Sequence, residues 1–225
     1  MSATTTKDRQ GNWSLSTAGS GMMPQSNGRA LLDNKTVAYV DESMRTFDGE
    51  TTYYLCAVVD RGMDEVAVQR LCSLLPRGAK KLHWRQMGVS LQGDSLKLVG
   101  SLAMDVIVVS GRPINPRKQE RARRKCLEVL LPLLGSAGVE RVVMESRGDA
   151  LDKRDREMAV SLIRKGWLGD VTLAHMRGGD EPRLWVPDQV LGAQGHVDAK
   201  GGAREDWAHE WRRLEKKVER RRIAL

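Results

Sequence analysis

The clearest hydrophobic pattern in the chain is the run TVAYVDES at residues 36–43, which is typical of a strand and ends in acids. Side chains of a β-strand point alternately to its two faces. Tyr39 and Asp41 therefore share one face, while Val40 and Glu42 share the other. A carboxylate at the end of an apolar strand is costly to bury unless a positive charge meets it. That charge is either an arginine, which would be structural, or a metal ion, which would be functional.

A second β-branched run, residues 51–59, follows the first strand after a short polar loop. The loop contains Asp48-Gly49, a dipeptide that is typical of turns. Two strands joined by such a short loop pair antiparallel. The sequence therefore predicts a β-hairpin.

The rest of the chain alternates between helical and extended patterns. Helices are predicted over residues 63–75, 95–103, 116–131 and 154–167, and from Pro187 onward. Strands are predicted at residues 104–109, 139–146 and 171–176. Alternating strands and helices indicate an α/β fold with a mixed sheet that starts antiparallel.

A basic amphipathic helix is predicted over residues 203–225, after a Gly-rich break at residues 198–202. Four apolar residues recur at the spacing of a helical stripe: Trp207, Trp211, Leu214 and Val218. The stripe would pack on the body of the domain or on a second subunit, which makes a homodimer through the Trp207/Trp211 helix one expectation. A nucleic-acid contact by the basic faces is compatible with either.

Composition bounds the domain organisation. The chain has 225 residues, of which 40% are hydrophobic and 29% charged, enough for one substantial core. Residues 1–30 are rich in Ser, Thr, Gly, Asn and Gln without an apolar period, so we expect a disordered tail there. The folded domain is expected to span residues 31–197, followed by the C-terminal helix.

Charge and cysteine usage suggest a compartment and a class of partner. No apolar run approaches the roughly 20 residues of a membrane span, and the N-terminus lacks a signal-peptide pattern. Three cysteines without metal-site spacing are read as buried thiols in a reducing compartment, so we expect a cytoplasmic protein without a membrane partner. The net charge of +8 favours polyanionic partners such as nucleic acid.

Three carboxylates stand out by position: Asp41 and Glu145 end strands, and Asp188 falls in the first turn of a helix that follows Pro187. If the two strands are parallel neighbours, their carboxyl ends lie side by side, where α/β sheets place their sites. Clustered acids repel and need a bound cation, and oxygen ligands select Mg²⁺ or Mn²⁺. Two ions about 3.5–4 Å apart would support phosphodiester cleavage. Each acid could instead be an ordinary cap or ion-pair partner.

Several of these segments together resemble a known family. The runs at residues 39–43 (YVDES), 53–59, 82–84 (LHW) and 187–193 (PDQVLGA) resemble the proteins grouped as domain of unknown function 3800. Those proteins are similar to the ribonuclease H-like superfamily of nucleases and integrases. The resemblance covers about residues 36–195.

The resemblance implies a ribonuclease H-like fold with Asp41 on the first strand, Glu145 on the fourth strand and Asp188 on a helix as metal ligands. Two positions depart from the family pattern. Met44 stands where Gly is common after Asp-Glu-Ser, and Glu145 stands where Asp is frequent. Members of the superfamily do use Glu as a ligand.

Each of the remaining candidate residues has two possible roles. Glu42 points away from Asp41 in a regular strand, unless a bulge brings it to the site. His83 is either a packed histidine or a proton shuttle beside the metals. The candidate phosphate contacts, each of which could equally be a solvated cation, are Arg85, Arg147, Lys153, Arg121 and Arg124.

Three functions are compatible with these patterns. The leading hypothesis is a metal-dependent nuclease that cleaves DNA or RNA by a two-metal mechanism. The alternative is a catalytically inactive ribonuclease H-like module that binds nucleic acid or a protein partner, because a fold does not by itself prove an activity. A third possibility is an assembly subunit that uses the Trp207/Trp211 stripe as its interface.

Overall fold

The computed structural model of the chain describes residues 35–224 and, ahead of them, two short strands. Those strands, Thr4–Lys7 and Trp13–Ser16, pair antiparallel within a unit of their own. The rest of the predicted N-terminal tail, residues 1–30, lies outside the described residues.

One six-stranded mixed sheet forms the centre of the domain. Its strands are β1 (Val37–Phe47), β2 (Glu50–Asp60), β3 (Met104–Gly111), β4 (Arg141–Glu145), β5 (Thr172–Met176) and β6 (Val218–Ile223). They lie in the order β5-β4-β1-β2-β3-β6. The first three pair antiparallel in sequence, and the other three each run parallel to a neighbour. The predicted α/β fold with a mixed sheet is confirmed.

The β1–β2 hairpin closes on a two-residue turn, as the sequence predicts. Phe47 pairs with Glu50, and the residues between them, Asp48 and Gly49, have φ angles of 48° and 80°. Two successive positive φ angles are what a type I′ turn requires, and Asp and Gly tolerate them better than most residues. The turn thereby fixes the register of the hairpin.

Helices cover both faces of the sheet. They are α1 (Glu65–Ser73), α2 (Val89–Ser101), α3 (Gln119–Ser136), α4 (Asp149–Arg164), α5 (Trp185–Lys200) and α6 (Ala208–Leu214). Residues of α3 and α4 form one core with one sheet face, and we call this side the α3 layer. Residues of α1, α2, α5 and α6 form a second core with the other face, which we call the α5 layer. Within the described residues, none of these helices is long and apolar enough to cross a membrane.

Strand β1 contributes alternately to the two cores. Tyr39 packs in the core of the α5 layer, whereas Ala38 and Val40 pack in the core of the α3 layer. The alternation continues into the acids, so that Asp41 faces the α5 layer and Glu42 faces the α3 layer. The two neighbouring carboxylates therefore meet different surroundings.

The predicted helix over residues 203–225 is wrong in its second half. The α-helix ends at Leu214, and Val218–Ile223 forms strand β6, which pairs parallel with β3. The predicted apolar stripe therefore lies on helical structure only as far as Leu214, and its last member, Val218, lies on a strand. Beyond Leu214, the edge of β3 offers unpaired backbone groups, and pairing with them satisfies the backbone hydrogen bonds of both strands.

The tryptophans of this segment belong to the domain core. Trp207 and Trp211 are 0% and 2% exposed and pack in the same core as the helices of the α5 layer. They therefore offer no surface to a second subunit, and the structure does not support the predicted Trp207/Trp211 dimer.

A buried arginine joins the sheet to the α3 layer. Arg123 of α3, whose side chain is 3% exposed, forms ion pairs with Glu42 and with Asp155 of α4, the latter with a 2.7 Å contact. The Tyr53 hydroxyl also donates a hydrogen bond to Glu42. Glu42 is thus neutralised by a guanidinium, the structural alternative posed by the sequence.

Removing the Arg123 charge should destabilise the fold. We expect Arg123→Ala to lower the free energy of unfolding by about 3–5 kcal/mol, because two carboxylates would be left without their buried partner. Urea denaturation of the variant and the wild type would measure the loss. The matched control is Arg124→Ala, an exposed neighbour, which should change stability by less than about 0.5 kcal/mol. Equal effects from the two variants would contradict a central role for Arg123.

A close approach between α5 and Trp84 depends on a glycine. A Cβ added at Gly192 would lie 2.0 Å from Cγ of the buried Trp84. We expect Gly192→Ala to cost at least about 1–3 kcal/mol through overpacking. Gly100→Ala in α2 meets no atom within 4 Å and should be neutral or slightly stabilising. Thermal melts of the pair would test this, and an unchanged melting temperature for Gly192→Ala would refute the contact.

Candidate functional site

Asp41 and Glu145 lie side by side at the carboxyl end of the sheet. Strands β1 and β4 are parallel neighbours, and their last paired residues are Val40 and Met144. Asp41 and Glu145 are the next residues on each strand. Val143, two residues before Glu145, packs in the core of the α5 layer, so both carboxylates face that layer. Strands β1 and β4 thus pair in parallel, as the sequence-based prediction of a shared site requires.

Asp188 enters the same region from the first turn of α5. The helix begins at Trp185, two residues before Pro187 and earlier than the sequence suggested. One carboxylate oxygen of Asp188, Oδ2, accepts a 2.7 Å hydrogen bond from the backbone N–H of Trp84 and lies 3.1 Å from His83 Nδ1. These contacts fix Asp188 against the segment that precedes α2.

Asp188 and Glu145 lie close enough to Asp41 to affect the ionisation of its carboxylate. The pKa of Asp41 is raised to about 7, first by burial, then by the negative charge of Asp188, and then by that of Glu145. Both sources of repulsion are the acids that the sequence placed with Asp41. Within the described residues, no ion pair neutralises Asp41 itself.

A lysine that sequence reasoning did not select lies among these acids. The Lys81 ammonium is 2.7 Å and 3.0 Å from the two carboxylate oxygens of Glu145. Burial opposes its charge, but the hydrogen bond and charge of Glu145, together with the charges of Asp41 and Asp188, raise the pKa of Lys81 overall. The sequence did contain a signal for Lys81. It and His83 flank the buried Leu82, so alternation of side chains places both on the face opposite Leu82.

His83 lies at the candidate site. Its hydrogen bond to Asp188 raises the pKa of the imidazole, although burial acts in the opposite direction. The side chain remains partly exposed, so it can still exchange protons with solvent or with a bound molecule. The placement keeps the proton-shuttle interpretation open.

The acidic side chains of the candidate site do not form a closed cage for a metal ion, but two of their oxygens remain open. Asp41 Oδ1 accepts a hydrogen bond from the backbone of Glu42, while Asp41 Oδ2 and Asp188 Oδ1 receive none from the described residues. No group of three or more His, Cys, Asp or Glu side chains in residues 35–224 is arranged to hold a metal ion. Mg²⁺ commonly uses one or two carboxylates and completes its shell with water and substrate phosphate. Asp41 and Asp188 suit such a site.

Glu42 and most of the candidate phosphate contacts lie elsewhere. The pairing of β1 with β2 is regular at Glu42, so no bulge turns this side chain toward Asp41. Glu42 faces the α3 layer and forms an ion pair with Arg123. The Arg147 side chain pairs with Glu120 of α3, and Lys153 of α4 pairs with Glu157. The two remaining arginines also belong to the α3 layer, across the sheet from Asp41: Arg121 and Arg124.

Two arginines do lie beside the acids. Arg85, a candidate from the sequence, contacts the backbone oxygen of Met44 at 3.4 Å. Arg45, which sequence reasoning missed, shares the strand face of Asp41 and lies against α5, where its Nε would be 3.1 Å from a Cβ at Gly195. That buried Nε has no hydrogen-bond partner among the described residues. Because alternate residues of a strand share a face, following the strand from Asp41 would have identified Arg45 as a neighbour of the site.

The raised pKa of Asp41 has a consequence for stability. Because the folded state binds this proton more tightly than the unfolded chain, the Asp41 contribution favours folding at low pH and is lost as the pH rises through about 7. In EDTA, Asp41→Asn should therefore raise the free energy of unfolding near pH 8 by an amount of order 1–3 kcal/mol and flatten its pH dependence.

Urea unfolding between about pH 5 and pH 8 would measure this effect. Asp149→Asn, which changes an exposed acid on α4, is the matched control and should leave the curve unchanged. A loss of stability in Asp41→Asn near pH 8 would mean that a cation already compensates the carboxylate.

In comparisons with known proteins, no protein-family model matches this chain, and no curated protein matches it either. The resemblance to the domain of unknown function 3800 family therefore stays a prediction from the residues.

Proposed function

We propose that the protein is a metal-dependent nuclease of ribonuclease H-like fold that hydrolyses phosphodiester bonds in DNA or RNA. The observation that carries this proposal is that Asp188 and Glu145 bring their negative charges close to Asp41, at the carboxyl end of adjacent parallel strands. Such repulsion disfavours folding unless the site binds a cation, and sites that bind ligands commonly tolerate this cost. Within residues 35–224, Glu145 lies on the fourth strand and Asp41 on the first, the positions that the resemblance implies.

Asp41 and Asp188 would hold the metal through Oδ2 and Oδ1, the oxygens that accept no hydrogen bond from the described residues. A divalent ion bound there would supply positive charge to the scissile phosphate and to the attacking water. His83, whose Nδ1 lies 3.1 Å from Asp188, would give a proton to the leaving oxygen.

Arg45 and Arg85 would bind the phosphate backbone next to the acids. Their positive charges repel each other, and this repulsion and burial lower the pKa of Arg45, with burial the larger cause. A phosphate between the two guanidinium groups would relieve that repulsion and satisfy the unpartnered Nε of Arg45. The net charge of +8 would assist association with a polyanion.

One observation favours the alternative, a catalytically inactive module that binds nucleic acid. Lys81 already neutralises Glu145, so part of the acidic site is stable without a metal. This alternative predicts salt-sensitive binding without cleavage. It also predicts no rise in melting temperature on adding Mg²⁺ or Mn²⁺, because no ion would bind the folded state.

Cleavage assays would test the leading proposal. Labelled single- and double-stranded DNA and RNA, incubated with Mn²⁺, should be cut by the wild-type protein. Asp41→Asn and Asp188→Asn should each reduce the rate at least about 100-fold, since even indirect support of a metal is worth about 10–100-fold.

The matched control is Asp149→Asn, which removes an acid from the α3 layer and should cleave at the wild-type rate. Equal cleavage by the wild type and Asp41→Asn would exclude the proposed site. Binding of every substrate without cleavage would favour the inactive module.

A further inference from the structure

The backbone around Lys81 directs its side chain at the acids. Leu82 and Trp84 are buried in the core of the α5 layer, and His83 between them has an extended backbone. Side chains alternate along an extended segment, so Lys81 and His83 both point away from that core. His83 reaches Asp188 and Lys81 reaches Glu145. Packing of the two apolar residues thus places both cationic groups at the site.

The Lys81 ammonium already pairs with one of the three acids. It contacts both oxygens of Glu145, and its charge also acts on Asp41 and Asp188. An ammonium group is a compact point charge, comparable in this respect to a bound cation. A metal held by Glu145 would have to displace this ammonium and break both of its contacts with the carboxylate.

The carboxylate oxygens that remain open indicate how many ions the site can hold. Both oxygens of Glu145 are paired with Lys81, whereas Asp41 Oδ2 and Asp188 Oδ1 accept no hydrogen bond from the described residues. Two open oxygens on two carboxylates suit one ion of the Mg²⁺ type, which commonly uses one or two carboxylates and completes its shell with water.

We propose that the Lys81 ammonium takes the place of a second metal ion, so that the site binds one divalent ion, between Asp41 and Asp188. This inference rests on the proposed metal-dependent function and revises its expected mechanism from two metal ions to one. Lys81 acts as a positioning residue, because it fixes Glu145 and supplies the charge that a second ion would otherwise carry.

Counting bound Mn²⁺ on the full chain tests this inference without reference to activity. Isothermal titration, checked by the electron paramagnetic resonance signal of free Mn²⁺, should give one ion per wild-type chain. Lys81→Met removes the ammonium at similar length and should bind two ions. Lys80→Met, at the exposed neighbouring lysine, and Lys81→Arg, which keeps the charge, should each bind one ion.

The other outcomes separate this inference from the proposed function. Two ions on the wild type, or one ion on both the wild type and Lys81→Met, would overturn the role of Lys81 and leave a metal-dependent nuclease standing. No ion on the wild type would overturn the inference and the metal-dependent function together. If Lys81→Met does not fold, as judged by circular dichroism, the wild-type count decides alone, with one ion supporting the inference and two overturning it.

Discussion

The main constraint on this domain is the burial of two adjacent carboxylates on one strand. Asp41 and Glu42 point to opposite faces of the sheet because strand side chains alternate, so no single cation can neutralise both. Glu42 receives the buried guanidinium of Arg123. Asp41 receives no ion pair among the described residues, and burial, followed by the charges of two further acids, raises its pKa to about 7. Among the described residues, the carboxylate on one side of the sheet is therefore neutralised by an ion pair, and the carboxylate on the other side is not.

The charged residues on one side of the sheet stabilise the fold, whereas those on the other side form the candidate site. On the α3 layer, Arg123 pairs with Glu42 and Asp155 and so joins two helices to the sheet, which stabilises the fold. On the α5 layer, Asp188 is held by the segment containing Trp84, and Trp84 itself fits only because residue 192 of α5 is a glycine. Rigid packing therefore holds a repulsive cluster in place, as a preorganised cation site requires.

The layered arrangement also determines which basic residues can meet a substrate at the acids. The basic helix α3 lies on the far side of the sheet from Asp41, so its exposed arginines cannot contact the phosphate at the candidate site. Among the described residues, Arg45 lies close enough to Asp188 and Arg85 to be affected by their charges, and Lys81 acts on the acids themselves. A polyanion bound at both layers would have to pass around an edge of the domain.

The sequence alone determined the properties that depend on local periodicity and turn chemistry. These include the Asp48-Gly49 hairpin, the alternating α/β order, the opposite faces of Asp41 and Glu42, and the first-turn position of Asp188. The partner of each charged side chain, by contrast, depends on contacts made in three dimensions. The tertiary structure buried Arg123, brought Lys81 to Glu145, and turned residues 218–223 from an expected helix into an edge strand. Ion pairing and strand pairing join residues remote in the chain, so local patterns cannot reveal them.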